Sequence, residues 1–131
     1  MTMTIALDHF IVSAHDRKAA ARQLAALLNV PWEETSLGRF SAVHINGGLT
    51  LDFIETDEDF PVEHFCFRVD DATFDAILAR LQQQDIAWKS DPFGPFDNTI
   101  NTGYGGRGIY WNVPEGHQWE ILTASYARQA A

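Results

Sequence analysis

The chain has 131 residues, 46% of them hydrophobic and 21% charged, the size and composition of one globular domain, which excludes a mainly disordered protein. Eighteen Asp and Glu against nine Lys and Arg give a net charge of −9, and so acidic a chain is expected to bind neither nucleic acid nor an anionic membrane. A single cysteine, Cys66, excludes an intrachain disulfide framework, and without a long apolar run or a basic leader the expected location is the cytoplasm.

In chain order, Asp8-His9-Phe10-Ile11-Val12 opens a strand pattern. Asp16 is a candidate cap for a helix whose apolar stripe is Ala20, Leu24, Leu27 and Leu28, and Pro31 closes it. Glu33 to Ser36 is a short strand pattern. Phe40 to Ile45 and Leu49 to Glu55 flank Asn46-Gly47-Gly48, a hairpin turn. Thr56 to Pro61 is a short acidic connection. Glu63 to Val69 is a second strand, and Asp71 is a plausible cap for the helix after it. Phe74, Ile77, Leu78 and Leu81 lie at i, i+3, i+4 and i+7 of that helix. Ile86 to Lys89 reads as a short strand. Ser90 to Gly106 is rich in Pro, Gly, Asn and Asp and reads as a long loop of the kind that often carries function. Ile109 to Val113 and Gln118 to Thr123 flank Pro114-Glu115-Gly116-His117, a second hairpin turn.

The same unit occurs twice. Asp8-His9-Phe10 and Glu63-His64-Phe65 both read acid, His, Phe, and each is followed by a helix. Leu51-Asp52-Phe53-Ile54 corresponds to Trp119-Glu120-Ile121-Leu122. The expected architecture is a single α+β domain over residues 1–131. Its two βαβββ modules, about 4–56 and 61–124, form a mainly antiparallel sheet.

The period of two then sorts side chains by face. If the large apolar positions pack on the helices, His9, Asp52, His64 and Glu120 all point to the opposite sheet face. Two imidazoles and one or two carboxylates converging there suit a divalent metal of the Mn, Fe, Co, Ni or Zn series. His15 and His44 lack this repeated context and are expected to be ordinary polar residues. Arg68 shares the face of His64, where either a local acid or an anionic substrate would pair with it. Cys66 is expected to be a small buried hydrophobe.

The strand-borne His9 and His64, the Gly47-Gly48-Leu49-Thr50-Leu51-Asp52-Phe53 strand and the Pro114 to Ile121 hairpin together resemble the vicinal oxygen chelate superfamily. That superfamily includes glyoxalase I, bleomycin-resistance proteins, fosfomycin-modifying transferases and extradiol dioxygenases. Gly105-Gly106-Arg107-Gly108-Ile109-Tyr110 and Phe74 to Leu81 resemble its chartreusin-pathway oxygenase-like branch. The resemblance implies a curved sheet that cups a metal, with ligands His9, His64 and Glu120. Asp52 takes the place where glyoxalase I commonly has Glu, one methylene longer. Val113-Pro114-Glu115-Gly116 stands where Asp-Pro-Asp-Gly is usual.

Two imidazoles and one carboxylate leave metal positions open for a bidentate substrate and, on Fe(II), for dioxygen. Asp52 and His117 are the candidate bases, and Tyr110 is a candidate hydrogen-bond donor to a bound oxygen. The expected protein is therefore a metal-dependent oxygenase-type enzyme, a non-haem Fe(II) dioxygenase with Mn, Ni or Zn as other metals that fit the same ligands. Its expected substrate is small and aromatic, with vicinal oxygens, and its expected state is a homodimer. The alternatives are a glyoxalase I-like lyase, a fosfomycin-type thiol transferase, and a metal-free drug-binding resistance protein.

Overall fold

Each repeat of the sequence folds as its own compact unit, Met1–Pro61 and Val62–Ala131, in a computed structural model that describes residues 4–36 and 38–128. The first unit contains β1 (His9–Ala14), α1 (Arg17–Leu28), β2 (Trp32–Glu34), β3 (Phe40–Asn46) and β4 (Leu49–Glu55). Its four-stranded sheet has the order β1-β4-β3-β2. The β2–β3 and β3–β4 pairs are antiparallel. Strand β1 joins β4 in parallel, because the chain crosses through α1 and β2–β3 before returning beside it.

Alternation decides which residues this sheet buries. Val12, Ala14, Val43, Leu51 and Phe53 are withdrawn from water, together with Ala20, Ala21, Leu24, Ala25 and Leu27 of α1. Burying a side chain such as Leu24 or Phe53 contributes roughly 1.5–3 kcal/mol. The Asp16 side chain caps α1 by accepting from Ala19 N–H at 3.1 Å, as expected. Asn29, in the left-handed region at φ 56°, ends the helix two residues before Pro31.

The second unit contains β5 (His64–Arg68), α2 (Asp71–Gln83), β6 (Gly108–Trp111), β7 (Gln118–Leu122) and a 3₁₀ turn, Tyr126–Arg128. Its sheet has the order β5-β7-β6, with β5–β7 parallel and β6–β7 antiparallel. Phe74, Ile77 and Leu81 of α2 are buried, as are Ile109, Trp111, Trp119 and Ile121 of the sheet. Arg107 ties the helix start to the sheet. It donates to the carboxylates of Asp75 at 2.7 Å and Asp71 at 3.1 Å, and its guanidinium lies 4.3 Å from the Phe74 ring centroid.

The architecture is α+β, with two sheets of mixed strands. Two details differ from the sequence reading. The α2 cap is Asp70 and not Asp71: the Asp70 carboxylate accepts from Thr73 N–H at 2.8 Å, which leaves Asp71 in the first turn for Arg107. The expected strand over Ile86 to Lys89 shrinks to one bridge, Lys89 with Tyr110. The backbone of Trp88 is instead taken by the loop, its N–H donating to Asn98 Oδ1 and its carbonyl accepting from Asn98 N–H. Among the described residues, no helix is long and apolar enough to cross a membrane.

The hydrogen bond from Thr73 holds the Asp70 carboxyl below its ordinary pKa. A depressed folded-state pKa stabilises above the unfolded carboxylate value, and that contribution disappears as pH falls through the folded value. Asp70→Ala should therefore lower the urea midpoint at neutral pH, and the gap to wild type should close as pH falls below about 4. A gap that stays constant into acid would contradict the cap.

Candidate metal and substrate site

Register places the site. On β7, Glu120 lies between Cys66 of β5 and Tyr110 of β6, with His64 two residues from Cys66 on the same face. The opposite face carries Phe65, Phe67, Trp119 and Ile121. Glu120 is 2% exposed although it carries a carboxylate, and such a group needs partners to leave water. Two are present: His64 Nε2 lies 2.8 Å from Glu120 Oε1, and the Tyr126 hydroxyl donates to the same oxygen at 2.9 Å. Tyr110 closes the group, its ring centroid 6.1 Å from that of His64.

Burial, then the charge of Glu120, pushes the Tyr110 hydroxyl well above its ordinary value. The same order of effects, with the hydrogen bond to Glu120 second, pushes Tyr126 up to about 12. Both tyrosines are therefore neutral donors at physiological pH. Cys66 is exposed on this face and is not the buried hydrophobe expected. Burial, then the charge of the neighbouring Glu120 carboxylate, pushes its thiol up to about 12.

His9 and Asp52 stand on the sheet of the first unit. Ile11 pairs with Asp52 and His9 with Thr50, so His9 and Asp52 share the face opposite Phe53, as alternation requires. His9 is exposed, with Nδ1 2.9 Å from Asp8 Oδ2. That hydrogen bond raises its pKa above the ordinary histidine value, against desolvation, and the charges of Asp8 and Asp52 add to the rise. The structure thus brings His64, Glu120 and Tyr110 together. Among the described residues, no three His, Cys, Asp or Glu side chains are gathered into a group that could hold a metal ion.

The structure places His117 elsewhere. It is fully buried, its Nδ1 accepts from Glu63 N–H at 3.0 Å, and its ring sits edge-on to Phe65 and Trp119. An imidazole so used holds the start of β5 to the hairpin and offers no base to a substrate. Tyr126, by contrast, went unread in the sequence: it lies beyond the last strand, where neither periodicity nor the repeat marks it.

A cleft of about 770 Å³ opens over this face. Val62, His64, Tyr104, Tyr110 and Tyr126 line it, and the loop expected over Ser90 to Gly106 supplies one wall, including Phe93 and Ile100. That loop is anchored at its root. The Lys89 ammonium is buried, donates to the Pro92 carbonyl at 3.0 Å and lies 4.5 Å from the Phe96 ring centroid. At its far end, Tyr104 packs on Tyr126 with centroids 5.4 Å apart.

Among solved structures, the oxidase ChaP-H2 is 38% identical to this chain with a TM-score of 0.88, over 95% of this chain and 97% of that one. The chain belongs to the vicinal oxygen chelate superfamily. The oxidase ChaP-H1 is 37% identical with a TM-score of 0.86, over 94% and 98% of the two chains. A lactoylglutathione lyase from Agrobacterium tumefaciens, 16% identical with a TM-score of 0.68 over 94% and 96%, shares the fold. No protein-family model matches the sequence, and no curated protein does. This member of the vicinal oxygen chelate superfamily resembles the chartreusin-pathway oxidases over almost its whole length.

The donors of the second unit fit a divalent metal in kind. One is a neutral-capable imidazole nitrogen and the other a buried carboxylate on the same spot, a pairing of N and O ligands suited to Fe(II) and its neighbours. The Tyr126 hydroxyl donates to that carboxylate and helps to orient it.

Close packing fixes Tyr126 in turn. A Cβ on Gly106 would lie 2.5 Å from Thr123 Oγ1 and 2.8 Å from Ala124 Cβ, just before the 3₁₀ turn. Gly106→Ala is expected to cost ~1–3 kcal/mol of stability by overpacking this corner. Urea unfolding checks it, and an unchanged midpoint would contradict the close approach.

Proposed function

We propose that this vicinal oxygen chelate enzyme is a metal-dependent oxygenase acting on a small aromatic substrate with vicinal oxygens. Its metal is Fe(II), held by His9, His64 and Glu120. The observation that carries the reading is the His64–Glu120 pair, 2.8 Å apart, with Glu120 buried and His64 half exposed in the wall of a cleft lined by aromatic side chains. The likeness to two proteins named oxidases supports the oxygenase class.

Bound at these residues, the metal would supply Lewis acidity toward adjacent substrate oxygens and reactivity with dioxygen. The chain's own residues do the rest. Glu120 brings a negative charge that Tyr126 keeps aimed. Tyr110, neutral and on the same face, donates a hydrogen bond to a substrate oxygen. Tyr104, Tyr126 and Phe93 offer ring faces to a flat molecule and keep water from its edge. Asp52, on the face it shares with His9, accepts the proton released when a substrate hydroxyl binds.

The protein works as a homodimer in this reading, with His9 and the His64–Glu120 pair of one site drawn from two copies. Strands β1 and β5, which carry the two histidines, are the end strands of their sheets. Ile5, Leu7, Phe10 and Ile11 at and before β1 are exposed apolar side chains of the kind an interface covers.

Protein purified without oxygen should hold iron, and His9→Ala, His64→Ala or Glu120→Ala should each remove most of it while the fold stays intact by circular dichroism. Mixing His9→Ala with His64→Ala protein should restore part of the metal if sites are shared between copies. Full metal content in His64→Ala would overturn the site. In an oxygen electrode, catechols and polycyclic hydroquinones should drive oxygen uptake. Turnover of a hemithioacetal under strict anaerobiosis, with no uptake on any catechol, would move the enzyme to the glyoxalase class. Sedimentation should give a dimer at micromolar concentration, and a 14.7 kDa monomer alone would contradict it.

A further inference from the structure

A second pocket lies on the same sheet face, further along β5. It measures about 280 Å³ and is lined by Cys66, Arg68, Leu122, Ser125, Tyr126 and Arg128 with Ala127. Register explains the position: Arg68 pairs with Leu122 two residues beyond the Cys66–Glu120 pair. Tyr126 lines both this pocket and the larger cleft and so forms the wall they share.

Its charge is out of character for the molecule. The chain carries eighteen carboxylates and nine Lys and Arg, yet this pocket has two arginines and no acidic residue in its lining. Several other cations are committed: Arg17 and Lys18 to Glu34, Arg107 to Asp71 and Asp75, Lys89 to Pro92 and Phe96. Neither the Arg68 nor the Arg128 side chain has a hydrogen bond, ion pair or ring partner among the described residues. Two guanidiniums without carboxylates, in an acidic protein, repel each other and gain most from an anion that accepts from both.

We propose that the Arg68–Arg128 pocket is an oxyanion-binding subsite, which receives a carboxylate or phosphate group of a molecule that enters beside the cleft. The planar forks of the two arginines suit the paired oxygens of either group. The Cys66 thiol is a weak neutral donor at its rim. The pocket's position two residues from Glu120 along the strand means that one extended molecule could place its anionic end here and its reacting end in the cleft. A separate anionic co-reactant would occupy it independently.

The test is a titration of the full-length, metal-free protein with inorganic phosphate and with benzoate, followed through arginine side-chain N–H signals by NMR, with neutral benzamide as control. One or both anions should shift the Arg68 and Arg128 signals saturably, while benzamide does not. Arg68→Gln and Arg128→Gln should each weaken binding by about tenfold or more, the loss of one charge-assisted pair. Arg68→Lys and Arg128→Lys, which keep the charge and lose the fork, should show a smaller loss and serve if the Gln variants fold poorly. Preference for phosphate assigns the subsite to a phosphate-bearing co-reactant, and preference for benzoate to a carboxylated aromatic substrate. No saturation in the millimolar range, equal shifts by benzamide, or variants that bind like wild type would each overturn the subsite. No metal is needed, so this result and that of the metal analysis stand or fall separately.

Discussion

The second unit is organised around one buried carboxylate. Glu120 sits on the central strand of its sheet, where a side chain has neighbours on both flanks and almost no water. A charge in that position is tolerated only if the strands beside it bring compensation. Strand β5 brings His64, β6 brings the neutral hydroxyl of Tyr110, and the turn after β7 brings Tyr126. An apolar residue of similar volume would satisfy the packing without any of these partners. The chain holds an acid here instead, and in the proposed function that acid serves chemistry rather than stability.

The supports of that carboxylate reach far along the chain. Gly106 packs closely on Thr123 and Ala124, the corner that leads into the turn carrying Tyr126. Arg107, next to that glycine, clamps the start of α2 through Asp71 and Asp75. The loop over residues 90–106 is tied down by Lys89 and Asn98 at its root and by Tyr104 near its end. Between these ties Phe93 is 97% exposed. A loop anchored at both ends with an exposed aromatic between them suits a wall that adapts to a flat ligand.

Much of this was legible in the residues. The twofold repeat and the period of two placed His64 and Glu120 on one face, and the register shows them there with Tyr110 beside them. What was missed follows from interactions that no period encodes. Asp70 and Asp71 are equally good caps by type, and the choice is made by Arg107, distant in sequence. His117 reads as a candidate base in a turn, yet it is buried and Glu63 N–H claims its Nδ1. Ile86 to Lys89 has strand-forming residues, but the side chain of Asn98 satisfies the backbone of Trp88 first. Tyr126 follows the last strand, where only tertiary contact gives it a role.

The family resemblance and the physical reading converge on the same residues from different directions. Alternation alone puts an imidazole and a carboxylate on one face of each sheet, and the proposed function gives that pattern a chemical meaning. The proposed iron site is tested most directly by crystals of the protein loaded with Fe(II) under anaerobic conditions and measured at the iron absorption edge. The account predicts one anomalous peak per chain, bonded to His64 Nε2, a Glu120 carboxylate oxygen and the His9 imidazole. A peak away from Glu120, or none while His64 keeps its hydrogen bond to Glu120, would contradict it.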